Sequence, residues 1–150
     1  MNASAVGKNY SEVELAYASG FIDADGAIMA CIEKHNEKKF GFRVRVILKV
    51  SQKDIMIIKW FLKTFRTGNI RKNNKIYDWQ IQDQIECLRM IEIFLPYIKV
   101  KKKQAIIAIR ILKKSVKNKK DLIYIANLAD TLSRFNVRSK NRRKNFVSMI

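Results

Sequence analysis

The residues that build metal cages, disulfide frameworks and interdomain linkers are nearly missing from this chain. It has two cysteines, one histidine, one proline and five glycines in 150 residues. Cys31 and Cys87 lie far apart with no C-x-x-C between them, and His35 is the sole imidazole, so a zinc site lacks ligands and a disulfide scaffold lacks density. Reduced thiols in an intracellular compartment are the expectation. Proline and glycine are too scarce for a linker, so residues 1–150 are expected to form one domain. No apolar run approaches the roughly 18 residues needed to cross a bilayer. Met1 to Tyr10 shows neither an apolar signal core nor an Arg-rich amphipathic pattern, so no secretory or transit peptide is read there.

Acid is also scarce. Lys and Arg number 31 against 13 Asp and Glu, a net charge of +18. Such a surface fits a polyanion. Nucleic acid is the commonest one, and an anionic membrane surface is the alternative. The basic helices lack the strongly apolar, aromatic opposite face a membrane surface demands, so no membrane role is expected. The charge is uneven: from Lys99 onward there are 16 basic and 2 acidic residues. That third reads as a phosphate-facing surface, with something more selective upstream. A hydrophobic content of 48% and 8 Phe, 5 Tyr and 2 Trp is ample for a core. Lysine outnumbers arginine 21 to 10, the mark of an AT-rich gene and compatible with a mitochondrial or chloroplast genome.

Periodicity predicts an α+β chain in the order α-β-β-α-β-β-α with further C-terminal helices. Ser11 and Glu14 form a capping box ahead of a helix that closes near Gly26. Ala16, Gly20 and Ala24 recur every four residues on one face of that helix, a strip that lets two helix backbones approach. The pattern then switches to period two, with strands at Ala27 to Glu33 and Phe42 to Ser51. A helix follows at Asp54 to Phe65, stopped by Gly68. A second hairpin runs from Asn69 to Lys72 and from Ile76 to Gln82 around Asn73-Asn74. Helices are predicted at Ile85 to Phe94, Lys101 to Val116 and Asp121 to Phe135, with a basic tail from about residue 137.

Strand alternation divides the four-stranded antiparallel sheet into a core face and a polar face. The core face carries Ile28, Ala30, Ile32, Phe42, Val44, Val46, Leu48 and Val50, with Ile76, Trp79 and Ile81 in a less regular register. The other shows Met29, Cys31, Glu33 and His35, then Arg43, Arg45 and Lys49, then Arg71, Asn73, Asp78 and Gln80. Donors and acceptors of these types read base edges in the major groove, and an eight-residue strand spans about 27 Å, close to eight base pairs. Ordinary solvated sheet faces look similar. The net charge is what favours nucleic acid here.

One copy of Gly20-Phe21-Ile22-Asp23-Ala24-Asp25-Gly26 puts two carboxylates at a helix C-terminus, where partial negative charge already accumulates. Acid so placed in a basic protein suits a metal held against a phosphate, and a single copy suggests a symmetric dimer. An EF-hand is excluded, because the twelfth position counted from Asp23 is Lys34. Ala18 to Gly26 resembles the nine-residue signature of the LAGLIDADG homing endonucleases, matching six positions and departing at Ala18, Ser19 and Phe21. The element order is also that family's, over essentially the whole chain.

The resemblance is to the single-motif, homodimeric subgroup, and its implications follow from that. The chain would be a site-specific double-stranded DNA endonuclease acting on a long pseudo-palindromic target, with an intron-encoded gene. Asp25 would bind metal together with the Ala24 carbonyl, and Asp23 would hold the helix end. Gln52, in Val50-Ser51-Gln52-Lys53, would position water, and Lys101, in Leu95-Pro96-Tyr97-Ile98-Lys99-Val100-Lys101, would project into the active site. A second basic side chain is called for soon after Gln52, where Ile55 to Ile58 stand, leaving Lys59 as the nearest candidate. Mg²⁺ is the implied cofactor, with Mn²⁺ as substitute and Ca²⁺ binding without efficient cleavage. Ala16, Gly20 and Ala24 would form the dimer interface, and Arg138, Lys140 and Arg142 would contact phosphates. The alternatives are an RNA-binding intron maturase on the same fold and a DNA-binding regulator with a dead active site.

Overall fold

Ser11 opens the first helix as expected: its hydroxyl accepts the Glu14 N–H at 3.0 Å, and the Glu14 carboxylate accepts the Ser11 N–H at 3.2 Å. The computed structural model describes residues 10–136 and 146–150. Helix α1 (Glu12–Asp25) buries Leu15, Ala18, Ser19 and Ile22 and passes without a loop into β1 (Gly26–Lys34). Gly26 permits that junction, since a Cβ there would lie 2.7 Å from the Ile22 carbonyl oxygen.

Strand β2 (Phe42–Gln52) returns antiparallel to β1, with Gly26 opposite Val50 and Glu33 opposite Arg43. Asp54 caps α2 (Ile55–Phe65) by accepting the Met56 N–H at 2.9 Å. The helix ends through Arg66 (φ 55°) and Gly68 (φ 84°), where a Cβ would meet the Gln80 carbonyl oxygen at 2.6 Å. Strands β3 (Asn69–Asn73) and β4 (Ile76–Ile81) form the second hairpin, and β4 pairs with β2. The resulting sheet is antiparallel throughout in the order β1-β2-β4-β3. Helices α3 (Gln84–Phe94), α4 (Lys102–Lys113) and α5 (Lys119–Asn136) complete the layer on its apolar face, and a 3₁₀ turn spans Val147–Met149. This is the expected α+β architecture.

The core is densest where α2 meets β4. Trp79 stacks on Phe61 at 4.9 Å and lies 6.0 Å from Phe65, which meets Phe94 edge-on at 5.1 Å. Each fully buried large side chain contributes about 1.5–3 kcal/mol. The indole Nε1 donates to the Thr67 carbonyl at 2.9 Å, so the ring is buried without an orphan donor.

Several expectations need correction. Asn74 (φ 57°) and Lys75 make the hairpin turn, one residue later than predicted. Ile76 sits opposite Asn73 on the polar face and is 41% exposed, while Tyr77 takes the core-facing register beside Trp79. Helix α4 stops at Lys113, where Lys114 turns extended (φ −80°, ψ 121°), and Asn118 caps the next helix by accepting the Asp121 N–H at 2.9 Å. That cap starts α5 earlier than expected. The chain after residue 145 is no free tail: Phe146 is 6% exposed in the core, and the buried Asp130 accepts the N–H groups of Phe146 and Val147.

Two outcomes test this packing. Asp130→Ala strands two buried donors and should cost about 2 kcal/mol or more, read as a lowered urea midpoint with unchanged slope. Burial pushes the Cys87 thiol up to about 12, so maleimide on native protein should label Cys31 and spare Cys87. Equal labelling of both would contradict it.

Candidate functional site

The C-terminal end of α1 gathers the three side chains that the motifs single out. Asp25 accepts a hydrogen bond from Gln52 Nε2 at 3.1 Å, reaching across from the last residue of β2. Gln52 Oε1 in turn accepts the Lys53 N–H at 2.9 Å, which fixes the amide with its NH₂ toward the carboxylate. Among the described residues no donor meets the other Asp25 oxygen. Lys101 Nζ donates to the Asp23 carbonyl oxygen at 2.7 Å, setting an ammonium at the negative end of the helix dipole.

Asp23 holds that lysine in place. Its two carboxylate oxygens accept the N–H groups of Lys99 at 2.8 Å and Lys101 at 3.0 Å. The segment from Pro96 to Lys101 is therefore pinned to α1 across almost eighty residues of chain. This matches a helix-end role for Asp23 and adds a target the sequence did not reveal. Lys59 is exposed on α2, and no contact among the described residues joins it to the cluster.

Helix α1 is apolar on two sides. One side is buried in its own core, and the other exposes Val13 (79%), Tyr17 (52%), Ala16, Gly20 and Ala24. A Cβ at Gly20 would meet nothing within 4 Å. Ala18 and Ser19, two departures from the signature, are fully buried on the inner side, with the Ser19 hydroxyl donating to the Phe94 carbonyl at 3.5 Å. Phe21 packs edge-on against Phe61 at 5.7 Å. Phe21 also reaches Tyr17 on the exposed side at 6.1 Å, while Ala16, Gly20 and Ala24 are themselves unchanged by the departures.

The polar face of the sheet presents the expected side chains, organised around two acids. Glu33 bonds Arg43 and lies 3.4 Å from Arg45, whose Nη1 donates to Gln82 Oε1 at 3.2 Å. The Arg43 hydrogen bond, with the charges of both arginines, holds the Glu33 carboxyl below the usual carboxylate range. Met29 and Cys31 are half-buried along β1, His35 is half-buried just past its end, Lys49 is half-buried on β2, and Asn73 is exposed at the hairpin. Asp78 and Gln80 do point to this face, yet they are only 3% and 5% exposed. Asp78 accepts from Ser51 Oγ at 2.5 Å and lies 3.7 Å from Arg71, and Gln80 donates to Asn69 at 3.4 Å. Their neighbours, not they, form the accessible surface. That Ser51 and Asp78 are partners follows only from β2 pairing with β4, a crossover that alternation alone does not reveal. Arg138, Lys140 and Arg142 lie outside the described residues.

Comparisons with known proteins agree with this geometry. Residues 18–111 match the family model described as LAGLIDADG endonuclease. The chain is 32% identical over 127 residues to the DNA endonuclease I-CvuI of Chlorella vulgaris, covering 81% of this chain and 78% of that protein. It is 27% identical over 107 residues to the DNA endonuclease I-CreI of Chlamydomonas reinhardtii, covering 69% of this chain and 64% of that one. The solved structure of I-CvuI with uncleaved I-CreI target DNA, in 2 mM Mg, superposes with a TM-score of 0.82 at 28% identity over 92% of each chain. I-TnaI, a homing endonuclease at 23% identity, shares the fold with a TM-score of 0.76 over 93% of this chain and 99% of that one. With the signature at the end of α1, the polar-faced four-stranded sheet beside it and these relatives in agreement, the chain belongs to the LAGLIDADG homing endonuclease family.

Proposed function

We propose that this protein is a site-specific double-stranded DNA endonuclease that acts as a homodimer, with a divalent cation assisting hydrolysis of one phosphodiester on each strand. The observation that carries the reading is an exposed helix strip that ends at an exposed carboxylate, Asp25, with an oxygen to spare. Among the described residues no three His, Cys, Asp or Glu side chains come together to hold a metal. Asp25, exposed and with an oxygen to spare, supplies one hard ligand of the kind Mg²⁺ takes. Packing the strip of Ala16, Gly20 and Ala24 against its symmetry mate would bring the second Asp25 beside the first.

The donor set fits such a cation: the Asp25 carboxylates, with the Ala24 carbonyl as a further oxygen. When bound, it would supply Lewis-acid polarisation of the scissile phosphate and favour deprotonation of the attacking water. Gln52, through its hydrogen bond to Asp25, would fix the rotamer of that carboxylate and hold an amide beside the water to be activated. Lys101 places a fixed ammonium where negative charge grows on the phosphate oxygens. The sheet of each protomer would lie along one half-site in the major groove, which gives a long, roughly palindromic target. The single domain covering residues 1–150, an intron-encoded gene and an organellar compartment belong to the same proposal. The algal origin of the two relatives accords with the last.

Cleaved sites selected from a randomised duplex pool in Mg²⁺ should be symmetric about the cut. On such a site Asp25→Asn should lower cleavage by more than about 100-fold, the most that losing a mere outer-shell partner costs, while DNA binding persists. Retained cleavage would remove Asp25 from the chemistry. Gly20→Leu replaces the poorer helix former at an exposed position where an added Cβ meets nothing within 4 Å, so a monomer should tolerate it. In the proposed dimer it should abolish association, giving a particle near 17.6 kDa by sedimentation with unfolding temperature measured alongside.

A further inference from the structure

A carboxylate on a surface built to meet phosphates is unfavourable unless it does something there, and Asp78 is the most deeply covered acid on that face. It occupies the middle of one rung across three strands: Ser51 of β2 and Arg71 of β3 are its register partners on either side. Oδ1 accepts the Ser51 hydroxyl at 2.5 Å, and Oδ2 lies 3.7 Å from Arg71 Nη2. A hydroxyl has one proton to give. Once it is given to Asp78, Ser51 offers only lone pairs outward. Arg71 is drawn to the acid through one nitrogen while its side chain stays 55% exposed, so the rest of its donor fork faces out with restricted orientation.

We infer that Asp78 is a specificity-determining positioning residue, which touches no base but makes Ser51 an acceptor and Arg71 an oriented donor. The inference rests on the proposed duplex-binding role of the sheet. An acceptor at Ser51 favours the amino groups of cytosine or adenine and is repelled by guanine O6 and thymine O4, whereas the Arg71 fork favours guanine. Ser51 directly precedes Gln52, so the affected base pairs are the inner ones, nearest the cut. Glu33 and Arg43 serve the outer end.

The test compares the parent chain with Asp78→Asn and Ser51→Ala on randomised duplex DNA, scoring preference at each position, affinity for an unrelated duplex and thermal unfolding. Asp78→Asn should reduce preference at inner positions by at least about fivefold. Affinity for unrelated duplex should rise, because a negative charge has left a DNA-facing surface. A merely structural role predicts parallel losses on both kinds of DNA, and that result, or an unchanged preference, overturns the inference. Ser51→Ala should relax fewer inner positions without the gain on unrelated duplex. If Asp78→Asn does not fold, unaltered preference in Ser51→Ala overturns the inference by itself. Should the parent bind no duplex at all, the functional reading fails first and this inference falls with it.

Discussion

The clamp that Asp23 places on the main chain at Lys99 and Lys101 is the contact on which the arrangement of the site depends. A helix C-terminus has unsatisfied carbonyls and repels acid, so an aspartate there needs donors close by. Two backbone N–H groups supply them for the carboxylate, and the Lys101 ammonium satisfies the Asp23 carbonyl. In the same stroke the start of α4 is fixed against α1. One residue of the signature thereby positions the helix pair behind the sheet, while Asp25, two residues on, is left open. The neighbouring carboxylates have opposite fates: both oxygens of one are taken up by main-chain N–H groups, and the other keeps an oxygen free.

The polar face of the sheet solves a different electrostatic problem. Uniform arginine and lysine would bind any polyanion and repel one another. Interleaving Glu33 and Asp78 lowers that repulsion and restricts the side chains that remain exposed. Each acid lowers the net positive charge of the face. What it supplies in return is orientation of the basic side chains beside it.

Much of this was legible in the chain. The Ser11–Glu14 box and the period-two stretches are local signals, and each stands where local chemistry puts it. The site was legible because its residues fall in short contiguous motifs. Failures occurred where long-range contacts decide. In β4, Tyr77-Asp78-Trp79-Gln80 has too little contrast for alternation to fix the register, and pairing with β2 and β3 settles it. The return of Phe146 to the core depends on Asp130, sixteen residues earlier, a partnership no spacing rule anticipates. Asp78 looked like an exposed reader because sequence shows the face of a strand but not how its neighbours cover it.

The junction at Gly26 has a mechanical consequence. Helix and strand meet there with no intervening hinge, and the close approach of the Ile22 carbonyl leaves no slack for one. The carboxylate that closes α1 and the first residues of the sheet thus move as a single lever. A ruler of this kind is graduated in whole residues: the spacing between Asp25 and each rung of the sheet is a property of covalent connection. Side chains along the blade can then be exchanged with the carboxylate left at the same setting.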